Sequence, residues 1–200
     1  VIYSNSGVLF QVLTAVYMPF YDNSNPNQTL IFTETIDVLQ SIHDKYAPIA
    51  PVKMGGDFNA QLPAALKLGK NWYRDKGFSK HSSILYDFVS SNDLIVPDMT
   101  HTQSLKYTYF SHKNGHYTWI DHFLCTSRNS GVTDCKIIPE EAGNISDHLP
   151  VRLIFSCSIP KSDHKPTKCY KAIDQMYVKP NWSPESLSPY SSAAALNIPG

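Results

Sequence analysis

Four apolar, β-prone runs in this chain each carry polar residues of catalytic type in or beside them, and that recurrence constrains the fold more than any other feature. Residues 8 to 17, "VLFQVLTAVY", read as a buried strand ended by Pro19, with Tyr17 at its tip. "PVKMGGDFN" reads as a second strand; if it runs to its end, alternation puts Asp57 and Asn59 on one face and Phe58 on the other. Gly55 and Gly56 leave room there for another group to approach the backbone. Asp121 lies within "WIDHF", and Asp147 with His148 opens "SDHLPVRLIF", where Pro150 holds Leu149 extended before a last core strand.

Between these runs the period changes. After the turn-like "DNSNPNQ", residues 29 to 46 place Phe32, Ile36, Leu39, Ile42 and Tyr46 at helical spacing. A shorter helix over 82 to 92 carries Ile84, Leu85, Phe88 and Val89. "YTYFS" and "YTWIDHFLC" read as the two strands of a hairpin turning at Asn114-Gly115, and residues 132 to 138 as a further short strand. Strands with interspersed helices imply an α/β or α+β domain.

Two hundred residues suit one domain with a real core. The 17 basic residues equal the 17 acidic ones, so affinity for nucleic acid would have to come from a local patch. No apolar run reaches the ~18 residues of a membrane span, no secretion signal is visible, and Cys125, Cys135, Cys157 and Cys169 show no paired spacing for zinc. The expectation is an intracellular protein with scattered reduced thiols. Residues 159 to 200 hold six of the 14 prolines, so 158 to 200 reads as a Pro/Ser-rich linker.

Taken singly, each polar cluster has a plain reading. Asp and Asn start turns by bonding their own backbone, a strand-end tyrosine is an ordinary edge residue, and Asp121 could face solvent. The ordered set is more specific. "VYMPF", "GGDFNA", "TWIDHFL" and "SDHLPV", each at a strand boundary, resemble the last four motifs of the endonuclease/exonuclease/phosphatase superfamily, which includes deoxyribonuclease I and apurinic endonucleases. Within it, "GGDFNA" with "YTWIDHFLCTS" and a Pro-rich tail is most similar to the endonuclease domain of non-LTR (LINE-type) retrotransposon polyproteins, over residues 8 to 157.

That resemblance implies a four-layer sandwich, two packed β-sheets flanked by helices, incomplete at the N-terminus. It implies hydrolysis of a phosphodiester in double-stranded DNA with Mg2+ or Mn2+, at a nuclear site of action, and a reverse transcriptase downstream in the parent. Asp57 would deprotonate the attacking water, and Asn59 would hold water and phosphate in register. His148 would bind the phosphate, Asp121 would fix its tautomer, Asp147 would position the metal, and Tyr17 would touch the scissile phosphate or leaving oxygen. A phosphodiester resists attack because its oxygens are already anionic, so a cation and aimed donors suit it. Magnesium prefers carboxylates and retained waters.

The family's asparagine and metal-binding glutamate precede the tyrosine motif, whereas residues 1 to 21 here contain no Asp or Glu. Glu34 sits on the first predicted helix, where a solvated face suits it. The chain is therefore expected to be a fragment, with residues 1 to 157 a partial domain inactive or nearly so alone, and with an uncovered sheet edge open to aggregation or pairing. One stretch could still bind DNA: residues 67 to 80 hold Lys67, Lys70, Arg74, Lys76 and Lys80 against Asp75, a balance of +4, with Trp72 interleaved for stacking. A solvated loop explains it equally well, and "TYFS" with Trp119 suits a core better than a base pocket. Two other readings stay open: a phosphodiesterase or phosphatase of inositol phosphates or sphingolipids, and a catalytically dead nucleic-acid-binding remnant.

Overall fold

The computed structural model describes residues 2–3, 9–63, 77–101, 105–113, 115–128, 130–139 and 146–156, all within the unit Val1–Cys169. Lys67, Lys70, Trp72, Arg74, Lys76, Asn114 and the linker expected over 158 to 200 lie outside the described residues. The strands are β1 (Ile2–Tyr3), β2 (Leu9–Tyr17), β3 (Val52–Asp57), β4 (Leu94–Ile95), β5 (Tyr109–Ser111), β6 (His116–Thr118), β7 (Asp121–Thr126), β8 (Val132–Ile137) and β9 (Val151–Phe155). The helices are α1 (Pro26–Tyr46), α2 (Lys80–Ser91) and the single turn α3 (Pro97–Thr100).

Five strands form the main sheet in the order β1-β2-β3-β7-β4. The crossover through α1 makes β2 and β3 parallel, as a helical connection requires, while β7 runs antiparallel to both β3 and β4. Alternation sends Val12, Val16, Val52, Met54 and Leu124 to one face, where Phe32, Ile36 and Leu39 of α1 and Leu85, Phe88 and Val89 of α2 complete a core. Phe32, Met54 and Leu85 are fully buried, and each such side chain contributes about 1.5–3 kcal/mol. A reciprocal pair of amide bonds, Gln40 with Asn92, ties the two helices together.

The opposite face of β3 and β7 carries Lys53, Gly55 and Asp57 beside Cys125, Phe123 and Asp121. Over it lies the antiparallel pair β8–β9: Phe155 rests on the Lys53 side chain, whose ammonium is 4.3 Å from the ring centroid. Helices on one face and a second sheet on the other match the expected layering. Gly55 is needed for it, because a Cβ there would collide with the Phe123 ring. Gly56 has φ +149° and meets the Val16 carbonyl, so both glycines admit the protein's own groups.

Three expectations are corrected. "YTWIDHFLC" is two strands: β6 pairs with β5 in a small hairpin, and the chain bends at Trp119-Ile120 before β7 joins the main sheet. The last strand, β9, lies outside the main sheet and pairs only with β8 among the described residues, with Arg152 and Ile154 exposed. Helix α1 begins three residues before the apolar period does, because Asn25 caps it by accepting from the Asn27 N–H and Pro26 occupies its first turn.

Candidate active site

Tyr17, Asp57 and Asp121 are direct neighbours across three strands: Tyr17 pairs with Asp57 in the β2–β3 ladder, and Asp57 pairs with Asp121 in the β3–β7 ladder. Each closes or opens its strand, so the three side chains form one row at a single end of the sheet. The row lies on the face opposite the helical core. Tyr17 is 67% exposed, whereas Asp57 and Asp121 are half-buried.

His148 joins the row from the segment before β9. Its Nδ1 lies 3.0 Å and 3.2 Å from the two Asp121 oxygens, a carboxylate fork that makes Nδ1–H the donor. The Tyr109 ring packs against the imidazole, with centroids 4.9 Å apart. Asp147 is half-buried; its carbonyl accepts from the Phe110 N–H, and its charge acts on His148. The bond to Asp121 holds His148 above its ordinary value, against the pull of burial.

Asp57 and Asn59 come together by turn geometry rather than by alternation. The strand ends at Asp57, Phe58 plunges into the core, and Asn59 takes a left-handed conformation at φ +47°. The Asn59 backbone N–H donates to Asp57 Oδ1 at 2.8 Å, while its Nδ2 donates to Asp57 Oδ2 at 3.0 Å and to the Met18 carbonyl at 2.9 Å. The turn reading and the site reading of "GDFN" are thus the same structure. Both amide hydrogens of Asn59 are committed, so toward a substrate it presents only its carbonyl oxygen. Burial pushes the Asp57 carboxyl up to about 6; the Asp121 charge adds to this, while the Asn59 backbone bond and the charges of His148 and His122 oppose it.

Other polar residues brought to the site carried no signal in the sequence. Buried Thr108 accepts with Oγ1 from the N–H groups of both Ile120 and Asp121, and its carbonyl accepts from Leu149 N–H, so one threonine fastens both segments of the His–Asp pair. Beneath the row, buried Asp98 accepts from Trp119 Nε1, His122 Nδ1 and the Phe123 N–H. Trp119 itself is half-buried, its indole N–H committed to Asp98. Lys80 is exposed on α2, the helix that packs on the other face of the sheet.

Among the described residues, no group of three or more His, Cys, Asp or Glu could by itself hold a metal ion. The carboxylates of Asp57, Asp121 and Asp147 are nonetheless donors of the kind a hard cation takes one or two at a time, together with waters and substrate phosphate. Beside the row, Gly55, Asp121, Phe123, His148, Leu149 and Val151 line a cleft of about 440 Å³.

No described protein family matches the sequence, and no curated protein matches it. Solved structures do. The catalytic domain of APE2 from Xenopus laevis superposes with a TM-score of 0.57 at 22% identity, over 76% of this chain and 52% of that one. A 3'-5' exonuclease, NExo, from Neisseria meningitidis gives 0.54 at 17% identity, over 72% and 60%. An AP endonuclease from Archaeoglobus fulgidus gives 0.54 at 16% identity, over 72% and 61%. The chain spans about half to three fifths of the length of these structures. Its helix-backed main sheet and second sheet layer therefore have the mixed α/β architecture of the deoxyribonuclease I-like endonuclease/exonuclease/phosphatase fold.

Proposed function

We propose that this chain carries the hydrolytic half of a divalent-metal-dependent phosphodiesterase site acting on double-stranded DNA, as in the nicking endonucleases of non-LTR retrotransposons. The observation that carries the proposal is the in-register row Tyr17, Asp57, Asp121 with His148 bound to Asp121. Substrate choice is supported by neighbours named as AP endonuclease and 3'-5' exonuclease, and by a Neisseria NExo structure bound to a product DNA hairpin.

In this reading Asp57 takes the proton of the attacking water. A carboxyl raised to about 6 is a stronger base than an ordinary aspartate and is still ionised at neutral pH. Asp121 fixes Nδ1–H of His148 and so orients the imidazole, whose charge would stabilise the phosphate as negative charge builds there. The carbonyl oxygen of Asn59 accepts from the water and so aims it. Tyr17, exposed at the end of the row, touches the scissile phosphate or leaving oxygen. Asp147, helped by substrate phosphate, would hold the cation, which supplies charge stabilisation at the phosphate.

Because no described cluster of three could hold the metal, hydrolysis by this chain alone is expected to be weak or absent, and a nucleic-acid-binding remnant is the second reading. The test is nicking of supercoiled plasmid with magnesium, comparing the 200-residue chain with a fusion that places a segment carrying the family's Asn and Glu motifs ahead of it. Nicking by the fusion, abolished by His148→Ala, is the expected result. A folded fusion that leaves the plasmid intact would refute the hydrolytic reading in favour of the remnant.

A further inference from the structure

One residue after Asp121, the chain buries a second histidine. His122 points to the helix side of the sheet, and its side chain is 0% exposed, as is that of Asp98. Its two ring nitrogens face two groups that only accept. Nδ1 lies 2.8 Å from Asp98 Oδ2, a carboxylate that also receives Trp119 Nε1–H and the Phe123 N–H, and Nε2 lies 3.2 Å from the Ala60 carbonyl. The Ala60 contact is satisfied when Nε2 carries hydrogen, and the Asp98 contact by a hydrogen shared between Nδ1 and the carboxyl, so the two groups form a buried His–Asp pair.

Such a buried pair is a poor source of stability, since well-packed apolar residues of equal volume usually serve as well or better. What it supplies is a fixed arrangement. Asp98 ties its pair to β7, because Phe123 N–H is a ladder position that the two-residue β4 does not reach. The other end of the pair grips Ala60, the residue after Asn59. Asn59 holds a left-handed backbone, a conformation that persists only where its surroundings fix it.

We propose that His122, anchored by Asp98, is a positioning residue that holds the Ala60 carbonyl and thereby fixes Asn59 and Asp57 against the Asp121 strand. For its bearing on catalysis the inference rests on the phosphodiesterase reading. The position of His122 beneath the row also lets its charge act on Asp57, in the direction that favours the ionised base.

Two substitutions separate the halves of the bridge. In His122→Asn the carboxamide reaches the place of Nδ1 and keeps Asp98 but not Ala60; in His122→Gln it reaches the place of Nε2 and keeps Ala60. The readout is hydrogen exchange of the Asn59 side-chain amide in the full 200-residue chain by NMR. Exchange in the Asn variant should be roughly fivefold to tenfold faster, the worth of one net hydrogen bond, and in the Gln variant close to native. Equal exchange in native and Asn variant chains overturns the proposal, as does loss of Asn59 protection in a folded Gln variant. Should the Asn variant not fold, nitrogen-15 spectra of native His122 decide: hydrogen on Nε2 supports the bridge, and a bare Nε2 overturns it. None of these readouts needs hydrolysis, so a fusion that fails to cleave DNA refutes the phosphodiesterase reading alone. Where it cleaves, the Asn variant should lower kcat with KM held and the Gln variant should retain kcat; an unchanged kcat in the Asn variant refutes the catalytic bearing.

Discussion

At the scale of single residues, the site is a set of charges that set one another. Asp121 raises His148 through its hydrogen bond and raises Asp57 through repulsion. Catalysis by an ionised Asp57 and a protonated His148 therefore gives a bell-shaped rate profile, with the acid limb near 6 and the alkaline limb above the usual histidine value. Asp121→Asn removes both influences, so both limbs should move to lower pH while the rate falls about a hundredfold or more; a pH series on the completed fusion checks this, and an unmoved alkaline limb contradicts the pairing. His81 makes the opposite kind of statement. It is fully buried, stacked on Phe32 at 4.0 Å, with neither ring nitrogen in a well-formed hydrogen bond among the described residues, and burial pulls it down to about 4. The unfolded chain then binds the proton first, so stability is full above about 6.5 and declines as pH falls toward 4, by up to about 3 kcal/mol. Urea midpoints at pH 7.5 and 4.5 should differ in the native chain and differ much less in His81→Phe.

At the scale of elements, strand ends were legible and the pieces between them were not. Tyr17 and Asp57 could be placed because apolar alternation stops at each, and a stop in alternation marks a strand end, whereas the apolar pattern puts Asp121 inside one longer strand rather than at the start of β7. Asn59 was placed near Asp57 for an incomplete reason, since alternation does not describe a residue at φ +47°. The bend at Trp119-Ile120 and the burial of Thr108, Asp98 and His122 had no local signature: a threonine in "YTYFS" looks like any strand residue, and an aspartate after Pro97 looks like a turn. Their roles are set by partners 12 to 62 positions away, from Ile120 for Thr108 to Ala60 for His122. Thr108→Val tests one of them. It keeps the shape but strands two backbone N–H groups, of Ile120 and Asp121, and should cost about 1–3 kcal/mol by urea titration while loosening Asp121 from His148.

At the scale of the whole molecule, a net charge of zero means DNA affinity has to come from local features, and the basic run at 67 to 80 is the strongest in the sequence. Lys70→Ala with Arg74→Ala should weaken binding and flatten the plot of log affinity against log salt by roughly two, if each side chain meets one phosphate; an unchanged slope would assign binding elsewhere. The row of Tyr17, Asp57 and Asp121 is embedded in the backbone ladders of three adjacent strands, whereas His148 is attached through the isolated bridge to Tyr109 and its neighbours' bonds to Thr108 and Phe110. The two parts of the site therefore differ in thermal endurance. Warming short of the melting point should release the histidine segment first, leaving aligned carboxylates without their phosphate donor. A fusion that nicks DNA would then fall silent reversibly at a temperature where its circular dichroism is still native, and cooling alone would restore it.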